Sequence, residues 1–409
     1  MAKQVASASR VRPSRDSGST LVNWAFPIYL GAILVGLVSL RGLGMTGSHN
    51  GIRALFIAVN AATLTGFRQN PGITDLNPIG LEIVLALMVI GSLFSMIIGA
   101  LAVRRIARLE MDDRGIIMGA LVAESLALLV GTACLWQGGR SSFNAMFLAA
   151  SVFGNCGLTA SSLPAPSNLT THLAILPLTI LGGLGLPVLM ELYGATFGGK
   201  SLSIHSRTVI STSAWLYVIG FALIFGLNLA HIGSVGLDAM RTAAPSDSVL
   251  AIESRTGGLD IAPLRAAGPG AQWILVLLMA IGASPAGTGG GLKTTTLVQL
   301  FEGGRRLLRG QAVGRPLGIA LTWLGIYLGM VLAGAALFAY LHDAPDGSGG
   351  VLFNAVSAFS NVGLSVSELP DTPGLLYAYA AIMLLGRLTP VLILWWMAET
   401  TTDGEVAIG

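Results

Sequence analysis

Eight long, nearly uncharged apolar stretches mark this chain: Leu21–Leu40, Leu81–Val103, Gly115–Trp136, Leu173–Phe197, Thr208–Leu229, Ala271–Leu300, Leu317–Leu341 and Gly374–Met397. A helix crossing a bilayer needs about 20 apolar residues, so each stretch predicts a membrane span. Between the members of each pair lies a shorter segment, as at Gly51–Leu64 and Ser142–Phe153, that is too short to cross. Each such region ends in a small-residue run with a glycine before a bulky apolar side chain: Thr63-Leu64-Thr65-Gly66-Phe67, Gly154-Asn155-Cys156-Gly157-Leu158, Arg255-Thr256-Gly257-Gly258-Leu259 and Ser360-Asn361-Val362-Gly363-Leu364. A single Gly-Leu or Gly-Phe pair carries no information in a chain with 54 glycines; fourfold recurrence in equivalent places does.

The repeating unit reads as long helix, short helix, glycine turn, long helix. The expected fold is an all-α integral membrane protein of four M1–P–M2 pore-loop repeats, eight transmembrane helices plus four re-entrant pore helices, around a pseudo-fourfold central pore. The pattern predicts a cytoplasmic N-terminal segment at 1–19, then repeats at 20–108, 109–200, 201–312 and 313–409, the last including a short C-terminal tail. The connections Arg104–Arg114, Gly198–Arg207 and Glu302–Pro316 are too short to hold another domain, so a regulatory domain is expected on a separate chain.

Composition agrees: 53% of the 409 residues are apolar and 11% charged, with a mean hydropathy of +0.74, against roughly 25% charge in soluble domains. The first apolar stretch is longer than a signal core and Gly42 to His49 offers no cleavage site, so it is expected to remain as a helix.

Of the 23 lysines and arginines, Lys3, Arg10, Arg12, Arg15, Arg104, Arg105, Arg108, Arg114, Lys200, Arg207, Lys293, Arg305, Arg306, Arg309 and Arg315 fall on one side. Arg41, Arg53, Arg68, Arg140, Arg241, Arg255 and Arg265 fall on the other, with Arg387 inside a span. The positive-inside bias places both termini in the cytoplasm and the glycine turns outside. It also accounts for the net charge of +3 without a nucleic-acid surface. The small-residue composition fits a bacterial inner membrane.

Two cysteines, Cys134 and Cys156, are too few for a disulfide framework, and the five histidines lack metal-site spacing. No H-E-x-x-H pattern or carboxylate pair indicates an enzyme, and Gly287 to Lys293-Thr294 fails as a phosphate loop because Leu292 replaces the required glycine. No organic cofactor is expected.

Irregular backbone at membrane depth is tolerated only where protein buries it or where it lines a water-filled cavity. Short helices entering the membrane would point their partially negative C-terminal ends at its centre, which favours a cation. Glycine removes the side chain that would block the axis, letting carbonyl oxygens replace an ion's hydration shell. The candidate filter is therefore Thr65, Gly66, Asn155, Cys156, Gly157, Thr256, Gly257, Gly258, Asn361, Val362 and Gly363.

Two further features interrupt the spans. The run 282–291, with glycines at 282, 287, 289, 290 and 291 and Pro285, cannot remain an ordinary helix cheaply and reads as an intramembrane loop or a packing kink. Arg387 lies near the middle of the last span, where a cation usually faces a cavity or a partner. A salt bridge to Glu191 or Glu124 is its structural alternative. Glu82 lies near a span end, within reach of headgroups.

The four turns, together with the run Gly282 to Thr296 and Gly386-Arg387-Leu388-Thr389-Pro390, resemble the Trk/Ktr/HKT superfamily of potassium transporters over nearly the whole chain. In length and span count the chain is most like the KtrB-type membrane subunit. The resemblance implies potassium uptake through a filter of backbone carbonyls at Gly66, Gly157, Gly258 and Gly363, passive or coupled to sodium. Relatives with serine at the first position tend to favour sodium, so Gly66 points to potassium; a sodium-selective or mixed K+/Na+ carrier of the same fold is the alternative. The third turn departs from the family's usual Thr-Ala-Gly-Phe-Asn, reading Thr256-Gly257-Gly258-Leu259-Asp260, and Leu158 and Leu364 also depart.

The resemblance further implies a gate at 282–291, with Gly282, Ser284, Gly287, Thr288, Gly289, Gly290, Gly291 and Lys293 in it and Arg387 facing the ion path below the filter. Arg255 matches a family arginine expected to brace loop carbonyls. Asp260 reads either as a cation-concentrating acid at the outer mouth or as an exposed loop residue. Implied partners are a second copy, in a homodimer, and a cytoplasmic nucleotide-binding RCK subunit, KtrA-like or TrkA-like. Arg305, Arg306 and Arg309 are placed to contact that subunit or anionic lipid.

Overall fold

The computed structural model describes residues 17–45, 51–68, 72–136, 140–232, 237–262, 264, 267–312, 314–341, 347–367, 369 and 372–400. Lys3, Arg10, Arg12 and Arg15 of the expected N-terminal segment, Arg265 and the tail beyond Thr400 lie outside them. Among the described residues there are α- and π-helical segments, short 3-10 turns and a single isolated bridge, Ile281 with Leu292, but no strand.

The helices fall into successive groups. The first holds α1 (Ser17–Ser39, prolonged by a π turn to Gly44), α2 (Gly51–Ala62) and α3 (Pro78–Ala107). The second holds α4 (Asp113–Leu135), α5 (Ser142–Phe153), α6 (Leu176–Leu184) and α7 (Leu186–Gly198). The third holds α8 (Ile204–Ile232), α9 (Leu237–Ile252), α10 (Pro269–Ala280) and α11 (Thr294–Leu308). The fourth holds α12 (Arg315–Leu341), α13 (Gly347–Phe359) and α14 (Pro373–Thr400).

Local chemistry sets several boundaries. Asn77 caps α3, accepting from the Gly80 amide at 2.8 Å, with Pro78 in the first turn where its missing N–H costs nothing. Asp112 and Ser141 cap α4 and α5 in the same way. The tight α3–α4 connection is closed by Arg104 and Asp113, 2.5 Å apart.

Within each group the long helices pack on the short one. Between groups a second rule holds: the helix after a turn packs on the next group's short helix, α3 on α5, α6 on α9, α10 on α13, and α14 back on α2. The groups thus close into a ring. α3 and α14 are the most buried of the long helices, whereas α1, α4, α8 and α12 expose apolar faces carrying Trp24, Leu129, Trp215 and Leu332. Such exposure suits a lipid solvent.

Two of the eight expected spans are not continuous. Leu173–Phe197 breaks at Gly185 (φ +87°) into two helices bent by 107°. Ala271–Leu300 breaks, as the glycine run predicts, into α10 and α11. Six helices among the described residues are long and apolar enough to cross a membrane, or seven with the bent pair.

The two breaks satisfy each other. The amides of Ser284 and Thr288 donate to the carbonyls of Gly183 and Gly182, both at 3.1 Å, and Leu186 N donates to Ala286 O at 3.3 Å. Ser284 Oγ donates to Leu184 O at 2.5 Å. Backbone groups freed by one broken helix are thereby paired with those freed by the other, as an interior without water requires.

Candidate functional site

α2, α5 and α13 end in one and the same way. Leu64, Asn155 and Asn361 adopt left-handed backbone (φ 56°, 53° and 50°). The following amide returns to the carbonyl five residues back: Thr65 to Asn60 at 3.0 Å, Cys156 to Ser151 at 2.8 Å, Val362 to Ser357 at 2.9 Å. This is the Schellman closure. A bulky residue such as Leu64 in that conformation costs roughly 1–2 kcal/mol, so surrounding packing must hold it. The next residue but one is Gly66, Gly157 or Gly363, with φ of 88°, 80° and 83°.

The third turn differs. α9 runs into a π turn over Glu253–Gly257, which contains Thr256, and the Gly258 amide returns to Glu253 O at 2.9 Å. Gly258 itself has positive φ (64°), so the turn reaches its glycine one residue sooner than the others.

The four turns meet. A Cβ on Gly66 would overlap the Cys156 carbonyl oxygen, one on Gly157 would lie 2.8 Å from Gly258 O, one on Gly258 would overlap Val362 O, and one on Gly363 would overlap Thr65 O. Each glycine therefore abuts the carbonyl of the next turn, in the order first, second, third, fourth, first. A side chain at any of the four would have to push these backbones apart, which glycine avoids. Asn361 ties the last turn to the first, donating from Nδ2 to Thr65 Oγ1 at 3.0 Å and to Met383 O at 2.9 Å.

Beneath the ring, residues 282–294 are all buried. Thr288 Oγ1 donates to Phe153 O at 3.2 Å and accepts from Asn155 Nδ2 at 2.7 Å. Gly290 lies so close to the fourth turn that a Cβ there would overlap Ser360 O. Lys293 Nζ turns back on the loop, donating to Gly289 O at 2.9 Å.

Arg387 joins loop and ring. Its Nη1 donates to Thr288 O at 2.6 Å and to Ser95 Oγ at 3.1 Å, and its Nε to Thr63 O at 2.8 Å, with Nη2 on the same oxygen. The salt-bridge alternative is not formed. Glu124 is instead held by Ser92 Oγ at 2.6 Å, and Glu191 accepts from the Ser203 amide at 2.8 Å.

Arg255 reaches the other end of the loop, donating to Gly282 O at 3.3 Å and to the Ser213 carbonyl and hydroxyl. Asp260 is ion-paired with Arg68 at 3.3 Å, both about half exposed. Arg305, Arg306 and Arg309 are exposed around the C-terminal end of α11. Cys134 and Cys156 are free, the first exposed and the second buried in its turn. Among the described residues no group of histidine, cysteine or acidic side chains is suited to a metal ion.

Several contributors carry no site role in the sequence alone, Gly386 among them although it stands in the Gly386–Pro390 motif. Tyr29 Oη donates to Ala62 O at 2.8 Å, anchoring the end of α2. Gly91, Gly182 and Gly386 let the helices after the turns approach the ends of α2, α5 and α13, where a Cβ would overlap the carbonyls of Ala62, Phe153 and Phe359. Their signal was present: Gly91 and Gly182 each follow their turn glycine by 25 positions, and Gly386 by 23.

Residues 131–315 match the family model of the TrkH cation transport proteins. The chain is 26% identical to Ktr system potassium uptake protein B of Bacillus subtilis over 95% of each chain. It is 27% identical to the protein of that name from Vibrio alginolyticus, over 88% of this chain and 86% of that one. It is also 27% identical to the potassium/sodium uptake protein NtpJ of Enterococcus hirae, over 78% and 79%. Among solved structures, the potassium transporter TrkH from Vibrio parahaemolyticus has the same fold, with a TM-score of 0.68 at 18% identity over 95% of this chain and 86% of that one.

Proposed function

We propose that this chain, which belongs to the Trk/Ktr superfamily of potassium transporters and is KtrB-like, is the pore-forming subunit of a potassium uptake system. The observation that carries the reading is the closed ring in which four glycines abut the carbonyls of neighbouring turns. In this reading the groups of helices are M1–P–M2 repeats, and Thr65, Cys156, Gly257, Gly258 and Val362 present carbonyl oxygens to a dehydrated cation on the axis. The ends of α2, α5, α9 and α13 add their partial negative charge. Thr256 and Asn155 belong to the same turns as backbone elements.

The run 282–291 is the gate. It fills the space under the ring, so conduction requires it to move, and Arg387 both tethers it through Thr288 and places a fixed positive charge in the ion's way. A small apolar pocket of about 80 Å³ below it, lined by Val103, Pro285, Lys293, Gln299, Trp323 and Pro390, is the entrance on the cytoplasmic side.

The proposal extends to a homodimer in the bacterial inner membrane, both termini cytoplasmic, with a nucleotide-binding RCK subunit contacting Arg305, Arg306 and Arg309. Ions move down their electrochemical gradient, alone or with sodium. A mixed potassium/sodium carrier is the second reading, favoured by the irregular third turn and by the likeness to NtpJ.

Potassium and sodium flux into liposomes holding the purified chain tests this, with Gly66→Ser beside the native protein. Potassium-preferring flux that loses its preference in the variant supports the filter. Equal fluxes of both ions in both proteins would overturn it.

A further inference from the structure

One position recurs behind all four turns and holds different chemistry in each. Asn60, Ser151, Glu253 and Ser357 each accept, at the backbone carbonyl, the amide five residues on. They are structural counterparts. All four are buried, so any polar group they carry must find a partner inside the protein or go without.

In the first turn the side chain clamps the backbone. Asn60 Oδ1 accepts from the amides of Gly66 at 2.8 Å and Phe67 at 3.0 Å, and Nδ2 donates to Phe67 O at 2.8 Å. In the third turn Glu253 does the corresponding work: Oε2 accepts from the Leu259 amide at 3.1 Å and Oε1 from Thr179 Oγ1 at 3.4 Å. Leu259 follows Gly258 as Phe67 follows Gly66. In the second and fourth turns the hydroxyls of Ser151 and Ser357 make no hydrogen bond.

The order of glycine-to-carbonyl contacts sets the first turn opposite the third, and the second opposite the fourth. We infer that Asn60 and Glu253 are the positioning residues that fix the ion-coordinating carbonyls of one opposed pair of turns, and that discrimination between potassium and sodium rests on this braced pair. The inference rests on the filter reading above. Its physical basis is that potassium and sodium differ in the spacing of oxygens they require, so an opposed pair unable to close inward excludes the smaller ion, whereas the unbraced pair adapts to whichever ion is present. The carbonyl next to each clamped amide belongs to the ring itself, so slack at the clamp becomes slack at the oxygen.

The test measures the potassium-to-sodium permeability ratio in liposomes for Asn60→Ser, Glu253→Ser, Glu253→Gln, Ser151→Ala and Ser357→Ala, with Gly66→Ser alongside. Loss of a clamp bond from a buried turn is expected to lower the ratio by about tenfold in N60S and in E253S. E253Q keeps an acceptor oxygen for Leu259 and should retain the native ratio; S151A and S357A should stay within about twofold of it, since no bond is lost.

A ratio unchanged in N60S and E253S, or shifted as far by S151A and S357A, overturns the inference. A ratio in E253Q as low as in E253S overturns it for Glu253, assigning the effect to charge. If G66S changes the ratio and the clamp variants do not, the bracing fails and the filter stands; if G66S also leaves it unchanged, the filter itself fails. Should Asn60→Ser fold poorly, Asn60→Asp, which keeps the acceptor for Gly66 and Phe67 and should therefore hold the native ratio, takes its place, and a ratio in it as low as in E253S overturns the inference for Asn60.

Discussion

Replacing Arg387 with methionine removes a side chain that spans from the ring to the loop and leaves one of similar length without charge or donors. The bond that holds the loop is Nη1 to Thr288 O at 2.6 Å; those to Thr63 O and Ser95 Oγ fix the arginine itself. A hydrogen bond from a charged donor contributes about 1.5–3 kcal/mol net. Since about 1.4 kcal/mol is a factor of ten in an equilibrium, the ratio of open to closed loop should rise by roughly 10- to 150-fold. On the permeation path proposed above, loss of the fixed positive charge would act in the same direction. In proteoliposomes without any partner chain, R387M should admit potassium at least tenfold faster than the native protein, with its potassium preference retained. Arg387→Lys keeps the charge without the planar fork and should lie between the two. R387M flux equal to the native rate, in a protein of native melting temperature, would refute the tether.

Gly290→Ala places a Cβ against Ser360 O and 2.9 Å from Asn361 Oδ1. It is expected to unseat the loop and raise basal potassium flux without altering the potassium-to-sodium ratio, which the liposome assay separates from the Gly66→Ser effect. Arg68→Gln frees Asp260 from its 3.3 Å ion pair and should raise potassium uptake at low ionic strength, an effect that fades in about 0.15 M salt, where the Debye length is about 8 Å. Ser92→Ala removes the 2.6 Å donor to buried Glu124, whose other oxygen already lacks a partner. It should lower the stability measured by thermal unfolding in detergent by about 1–3 kcal/mol.

The apolar stretches and the fourfold glycine turns carried much of the architecture because both are local signals. A bilayer demands a set length of uncharged helix, and a glycine with positive φ announces itself by residue type. The break at 282–291 was legible for the same reason. The bend at Gly185 was not, although Gly182-Gly183-Leu184-Gly185-Leu186-Pro187 is rich in helix breakers. Glycine is common in membrane helices, and what keeps this one open is the set of bonds its freed carbonyls make with Ser284 and Thr288, about a hundred residues away.

Arg387 illustrates the same division. Its burial in the last span was evident from position, yet carboxylates and carbonyls are equally plausible partners for a buried guanidinium until the helices are placed. The chain's own sequence determined the long apolar stretches, the short helices between them and the presence of four glycine turns, because these follow from hydropathy and backbone conformation within a few residues. Which turn touches which, which carbonyls Arg387 holds, and that Asn60 and Glu253 brace opposite turns while Ser151 and Ser357 do not, were decided by tertiary structure alone. Those facts depend on contacts between segments far apart in the chain, where packing and the pairing of every buried polar group are settled together.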